Sequence, residues 1–434
     1  MTNNISRGVP ESQSSVRRTN AWFGTSLTVI TVVLAAIMSL SGCDKPPTFS
    51  ELINGKKKEA PPTAPPPVAK SSTPTPPAEP AKPPEKPKRA PQEVLAEYNA
   101  TPYNQHTDAQ IRELASTPEA ADQITEIYVA SSPVSDAGMA FFPKFEHVEK
   151  LTVDSCQFSN AALANVAKMK SLTSFSMGGA VMREPCDAGL ASIKEMHQLT
   201  TLSLDSTNVT PKGLEHVAQM DWLESLNVAH TRFNDDSLKI LAPLKNLKSL
   251  NISFTMVSDN GFEGLLPFHE LETLNIGRAP IRGDGFKELG RRKAFPNLRN
   301  LYIFSIVGLE LSGYEGIYSF RQTLETLDIG QSALTDDRFV NVITKCPKLE
   351  TLSVPENPGL TDAGMSQIFR LKNLKKLYFY KNSGVSDGSL PWLAKLRKLE
   401  SLTMNATSVS ENGARALKKK MKNCEIVYNY KKIE

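Results

Sequence analysis

From residue 124 onward the apolar positions keep one frame. A segment of the form Leu-x-x-Leu-x-Leu begins at Ile124, Val148, Leu172, Leu199, Leu223, Leu247, Leu271, Leu298, Leu324, Leu349, Leu374 and Leu399, eleven intervals over 275 residues with a mean of 25. In the unit at Leu247, Leu250 and Ile252 alternate with polar neighbours, and Val257, Phe262 and Leu265 then recur at wider spacing. Alternation predicts a short strand, and the change of period to about 3.6 predicts a turn and then a helix. A unit of this length cannot bury its apolar stripe alone, so the copies must stack on one another and share a continuous core. Residues 92–123 repeat only the helical half, in Thr107-Asp-Ala-Gln-Ile111-Arg-Glu-Leu114, and are expected to form an N-terminal helical cap. Residues 424–434 begin a thirteenth unit in step, with Cys424, Ile426 and Val427, and read as a closing strand.

This repeat resembles the leucine-rich repeats over about 310 residues, from Ile124 to the C-terminus. The Ser/Thr-Asp-x-Gly element and the unit length are most similar to the ribonuclease-inhibitor-like and cysteine-containing subclasses. The resemblance implies an α/β fold, a right-handed horseshoe solenoid of about 12 repeats over residues 124–423. In it a parallel β-sheet lines the concave face and helices form the convex one. Cysteine-containing repeats often form the substrate arm of F-box ubiquitin-ligase receptors, but residues 92–123 are too short for an F-box and the N-terminus reads as an export signal, so that role is not expected.

Ahead of the repeats the composition changes twice. Arg17 and Arg18 precede 22 uncharged, mostly apolar residues from Ala21 to Gly42, a positive region followed by an apolar one. The tetrad Leu40-Ser41-Gly42-Cys43 resembles the lipobox of bacterial lipoproteins. That resemblance implies that residues 1–42 are a signal peptide, that Cys43 carries lipid, and that the body is exported and held to a membrane, facing the periplasm or the cell surface. An uncleaved membrane-spanning anchor is the alternative. Fifteen of the 30 prolines fall between Pro46 and Pro91, so residues 43–91 are expected to be a disordered Pro-rich tether without a packed core. The formal charge of +4 divides into +2 on residues 1–43, +4 on 44–91 and −2 on 92–434. A slightly acidic body argues against binding to nucleic acid.

Little in the repeats points to catalysis. Asp136, Asp187, Asp235, Asp259, Asp336, Asp362 and Asp387 recur at the start of the helical segment, where a carboxylate caps free backbone N–H groups. Glycines such as Gly138, Gly213, Gly261 and Gly364 follow two residues later, where a missing Cβ would let helix and sheet approach. Thr207, Thr231, Thr255, Ser332, Asn357, Asn382 and Thr407 stand after the strands, placed to bond turn backbone. Cys156, Cys346 and Cys424 read as small buried packers, while Cys186 sits one coil from Cys156 and could pair with it in an oxidising compartment. The six histidines have no metal-ligand spacing, and no phosphate-cradling loop or nucleophile motif occurs. No enzyme activity, cofactor or metal is therefore expected.

Binding is the better expectation, because residues between the core leucines point to the concave face. One such column runs from Tyr128 through Asn227, Tyr302, Asp328 and Tyr378 to Thr403, and its neighbour from Ala130 through Phe304 and Tyr380 to Asn405. The first half of both is mainly small or polar. The second half brings four aromatics, Tyr302 with Phe304 and Tyr378 with Tyr380, in two pairs about 15 Å apart at ordinary strand spacing. With Asp328, and with Phe254, Arg278 and Lys381 at strand exits, they are the candidate ligand-binding residues. The competing reading packs Phe304 on the irregular segment Val307 to Thr323 and leaves the tyrosines incidental. That segment, with Tyr314, Tyr318 and Phe320, is otherwise expected to wall the same site. A protein is the expected partner; a glycan or cell-wall polymer on the same face, or a purely structural envelope spacer, are the rivals.

Overall fold

The computed structural model describes residues 89–434, and the signal, Cys43 and nearly all of the Pro-rich segment lie outside the described residues. The chain is a leucine-rich-repeat solenoid. Fourteen strands form one sheet in strict chain order. The first thirteen are parallel, from Glu126–Tyr128 to Glu425–Tyr428, each coil in register with the next so that Ile127, Leu151, Phe175 and Leu202 stand in one row. The strands are short because only one core residue, with its two outward neighbours, lies flat before the chain must turn into the convex helix layer.

The sheet departs from the sequence expectation at its end, where one closing strand becomes two. After Glu425–Tyr428 the chain reverses through Asn429 and Tyr430, both left-handed, and Lys431–Ile433 pairs antiparallel with the thirteenth strand. Two consecutive left-handed residues are the geometry of a two-residue hairpin turn, here without the usual glycine. At the other end the helices Pro91–Ala100, Asp108–Ala115 and Pro118–Ala121 bury Val94, Ile111, Leu114 and Ala120 in the same continuous core.

The recurrent aspartates act between coils, which corrects their assignment as caps of their own helices. The caps are the residues before them: Ser135, Ser258, Thr361 and Ser410 accept first-turn N–H groups. The aspartate that follows reaches instead to the cap of the next coil. Asp235 accepts from Ser258 N–H and Oγ–H, both at 2.7 Å, and Asp108, Asp136, Asp336 and Asp387 do the same with Ser135, Ser159, Thr361 and Ser410. The glycines follow from this. A Cβ on Gly261 would lie 2.3 Å from Asp235 Oδ1, and one on Gly138, Gly213 or Gly364 would lie 2.4 Å from the corresponding carboxylate of the preceding coil. Where the preceding coil has no aspartate, as at Pro211, the next coil carries Ser237 instead of glycine. The rule has exceptions: Ala162 stands above Asp136 and Ser389 above Asp362, and Gly189 follows a coil with Asn160 in place of aspartate.

The turn residues bond backbone as their position suggests. Thr207, Thr231 and Thr255 donate to the carbonyls of Leu204, Val228 and Ile252 at 2.6–2.7 Å, and Asn357 donates to Ile329 and Val354 while accepting from Ser332 and Leu334 N–H. All four described cysteines are free and buried, so Cys156 and Cys186 are not paired; Cys156 Sγ donates to the Val129 carbonyl at 3.1 Å. Burial pushes the Cys186 thiol up to about 11.

Candidate functional site

The segment after Ile306 is not a wall of the concave site. It forms the helix Leu311–Ser319, which packs against the helix Asp284–Arg291 through glycines. A Cβ on Gly316 would meet the Phe286 backbone at 2.4 Å, and one on Gly283 would meet Gly313 at 2.3 Å, so the helices touch backbone to backbone. Tyr314 is fully buried, its hydroxyl donating to the Ser332 carbonyl at 2.7 Å, and Phe320 is core as well. Two of the three aromatics there are thus packing residues, while Tyr318 is exposed beneath the Arg321 guanidinium, a distinction the sequence pattern did not make.

On the sheet face the candidate residues are regrouped. Tyr302 and Phe304 leave the same strand but join different neighbours. Phe304 lies over Gly277 of the preceding coil, where a Cβ would come within 2.5 Å of the ring. Its ring is 6.1 Å from Phe254, which stacks at 3.8 Å on His230 and lies under the Arg278 guanidinium at 5.0 Å. His230, Phe254 and Arg278 border an open cleft of about 850 Å³ on the strand-exit flank, also lined by Thr231, Phe233 and the exposed Met256. The sequence places Phe254 and Arg278 at strand exits but does not point to the cleft beyond them, where Met256 stands out as an apolar residue two positions further on.

Tyr302 instead stands in register with Asp328, Asp328 with Ser353, and Ser353 with Tyr378. Asp328 accepts from the Gly330 N–H at 3.1 Å, and Ser353 also bonds it. Burial pushes its carboxyl up to about 6 against these bonds. Tyr302 and Tyr380 are both raised by burial and further by the Asp328 charge, which places both phenols within its electrostatic reach. The missing side chain at Gly330 leaves room that Pro355 of the next coil enters, since a Cβ there would lie 2.7 Å from the proline ring.

The strand-exit residues share an unusual backbone. Ser131, Ser155, Ser206, His230, Phe254, Arg278, Ser305, Gln331, Glu356, Lys381 and Ala406 all have φ between 51° and 60°. For a residue with a Cβ this conformation costs about 1–2 kcal/mol. Lys381 pairs with Glu356 at 2.8 Å, and Glu356 also accepts from Gln331, which in turn bonds Ser305, forming a rail across four coils. The Lys381 ammonium, followed by Gln331, holds Glu356 below the usual carboxylate range. Both basic candidates are therefore already engaged, Lys381 by Glu356 and Arg278 by Phe254.

The polar first half of the face is largely satisfied within itself. Asn227 donates to Ser203 at 3.2 Å and accepts from Ala229 N–H, Asn251 accepts from Ser253, and Asn275 accepts from Gly277 N–H. Burial raises the Asp154 carboxyl, which is held by Ser176 Oγ–H at 2.5 Å and Gly178 N–H at 2.6 Å.

No protein family matches the sequence, and no curated protein matches it. Among solved structures, an internalin of Listeria monocytogenes aligns with 75% of this chain and 94% of its own length at 16% identity, with a TM-score of 0.48. A leucine-rich-repeat protein of Leptospira interrogans aligns over 66% of this chain and 80% of its own at 17% identity and a TM-score of 0.36. An internalin C2 of Listeria monocytogenes aligns over 52% and 92%, at 17% identity and 0.37. The ladder of thirteen parallel strands in register defines the repeat class from this chain alone.

Proposed function

We propose that this chain is a non-catalytic recognition protein of the bacterial envelope, tethered by lipid on Cys43 and binding a protein partner through the second half of its concave face. The tether reading rests on the sequence from Arg17 to Cys43 and on the prolines that follow. Among the described residues no helix is long and apolar enough to cross a membrane.

The observation that carries the binding reading is the set of partly exposed aromatics, Tyr302, Phe304, Tyr378 and Tyr380, on a sheet face bordered by bulky side chains in left-handed backbone. Glycine would occupy those exits without strain, so His230, Phe254 and Arg278 are held there at a conformational cost that the fold itself does not require. A glycan site would draw on the amides and hydroxyls of the first half, but those already bond one another. The test is capture from an envelope extract by the full-length chain, beside a variant with all four aromatics changed to Ala and checked for an unchanged thermal transition. One partner held by the native chain and lost by the variant is the expected result. Equal capture by both refutes the site and favours a spacer.

A further inference from the structure

The two inner columns of the concave face carry three carboxylates, Asp154, Asp205 and Asp328, and no lysine or arginine. Asp154 has Ser176 and Gly178 as donors, and Asp205 has the His230 imidazole beside it. Asp328 shares with Asp154 a donor set of one glycine amide and one hydroxyl, Gly330 and Ser353, both neutral, and among the described residues no basic side chain offsets its charge, but two tyrosines feel the charge of Asp328 where one, Tyr128, feels that of Asp154. The bases at the exits of adjoining coils are committed elsewhere, Lys381 to Glu356 and Arg278 to the Phe254 ring. A carboxylate taken out of water without a cation is unfavourable, and structures keep such a group where something else requires it.

The surroundings indicate what would complete it. Tyr302 on one side and Tyr380 on the other both feel the Asp328 charge, and Tyr378 stands two strands away in register. Aromatic rings with a carboxylate between them attract a cation twice, by the ring quadrupole and by the full charge, and a desolvated setting strengthens both. We propose that Asp328, walled by Tyr302 and Tyr380, is the seat for one lysine or arginine side chain of a basic segment in the protein partner. This deepens the concave-face reading and rests on it. The same charge pattern disfavours a small anion or an acidic peptide, because the inner columns offer it no cation.

The raised carboxyl supplies a second readout. With Asp328 titrating near 6, its ionised fraction falls about tenfold between pH 7.5 and pH 5. The other charged or titratable groups around it are Tyr302 and Tyr380, both raised and so neutral through that range, Tyr378 in register, Lys376 at the start of the Tyr378 strand, Tyr430 near Tyr380, and the Glu356–Lys381 pair, which is already formed.

The probe is a fluorescein-labelled hexalysine peptide, with binding to the full-length chain followed by anisotropy at 150 mM salt. The native chain is expected to bind about tenfold more weakly at pH 5 than at pH 7.5. Asp328→Asn should weaken binding at least tenfold at pH 7.5 and abolish the pH dependence, while Glu215→Gln on the convex side leaves both unchanged. Asn is nearly isosteric and removes an unfavourable buried charge, so loss through misfolding is not expected; the thermal transition checks it. No measurable binding by the native chain, or native affinity in Asp328→Asn, overturns the proposal. If Asp328→Asn keeps the envelope partner that the four-alanine variant loses, the cation seat is wrong and the recognition reading stands. If neither variant loses a partner, both are wrong.

Discussion

The coupling between the aspartate of one coil and the glycine of the next can be measured at Asp235 and Gly261. Asp235→Ala removes two charge-assisted bonds to Ser258, at 2.7 Å each, in a partly exposed setting. Bonds to charged groups contribute about 1.5–3 kcal/mol each when buried, and halving the sum of the two for solvent leaves a loss of about 1.5–3 kcal/mol. Gly261→Ala places a Cβ at 2.3 Å from Oδ1, so the carboxylate must move and part of the same bonding is lost. Alanine's advantage over glycine in a helix, about 1 kcal/mol, offsets some of it, for a net loss of about 1–2 kcal/mol. Exceptions such as Ala162 limit the figure, since there a Cβ coexists with both Asp136 bonds. In the Asp235→Ala background only the Cβ at position 235 remains, at 3.1 Å, and Gly261→Ala should be neutral or stabilising. The expected coupling is therefore about 2 kcal/mol, read from urea unfolding of the four chains. Additivity within about 0.5 kcal/mol, or a Gly261→Ala single variant more stable than the native chain, would refute the argument.

Two further outcomes follow from the site. Phe254 is left-handed with φ 56°, so Phe254→Gly should be more stable than Phe254→Ala by about 1 kcal/mol, the reverse of the order in ordinary backbone; equal melting temperatures would count against strain at the strand exits. Asp328 is raised from 3.8 to about 6, so ionising it disfavours the fold and native stability falls as pH rises through that window. Asp328→Asn should therefore exceed the native chain by up to about 3 kcal/mol at pH 7.5 and match it below about pH 4, and a gap that is constant across a pH series of thermal melts would contradict the burial of that charge.

Most of the architecture was legible because a solenoid repeats its core residue at nearly constant separation. Leu250 and Leu274 are neighbours in space for the reason that they are 24 apart in sequence, so finding the frame gave the register of every parallel strand. What escaped the reading involves pairs that the frame brings together but that look local. Ser258-Asp259-Asn-Gly261 looks like one capping element, yet Ser258 and Gly261 answer to Asp235 and Asp259 answers to Arg282, Gly283 and Gly285 in the coil beyond. Comparing Gly261 with Ser237, whose preceding coil has Pro211 in place of aspartate, was the signal available. The site was half legible: the concave columns named Tyr302, Phe304, Asp328, Tyr378 and Tyr380, but column position does not tell which way a ring leans. Phe304 leans over Gly277 toward Phe254 because glycine leaves a hollow there. Tyr314 shows the opposite failure, an aromatic whose irregular sequence context suggested exposure and whose helix buries it between glycines.

The reversed last strand has a consequence for assembly. A stack of identical coils is in principle an unfinished polymer, since the bottom of one copy fits the top of another and such a contact repeats without closing. Here the final strand, Lys431–Ile433, runs against the direction of the other thirteen. It can offer no incoming first coil the parallel register on which the rest is built. Its exposed Lys431 and Lys432 add charge to the edge where growth would begin. The hairpin after Tyr428 thus works against filament growth at that edge of the sheet.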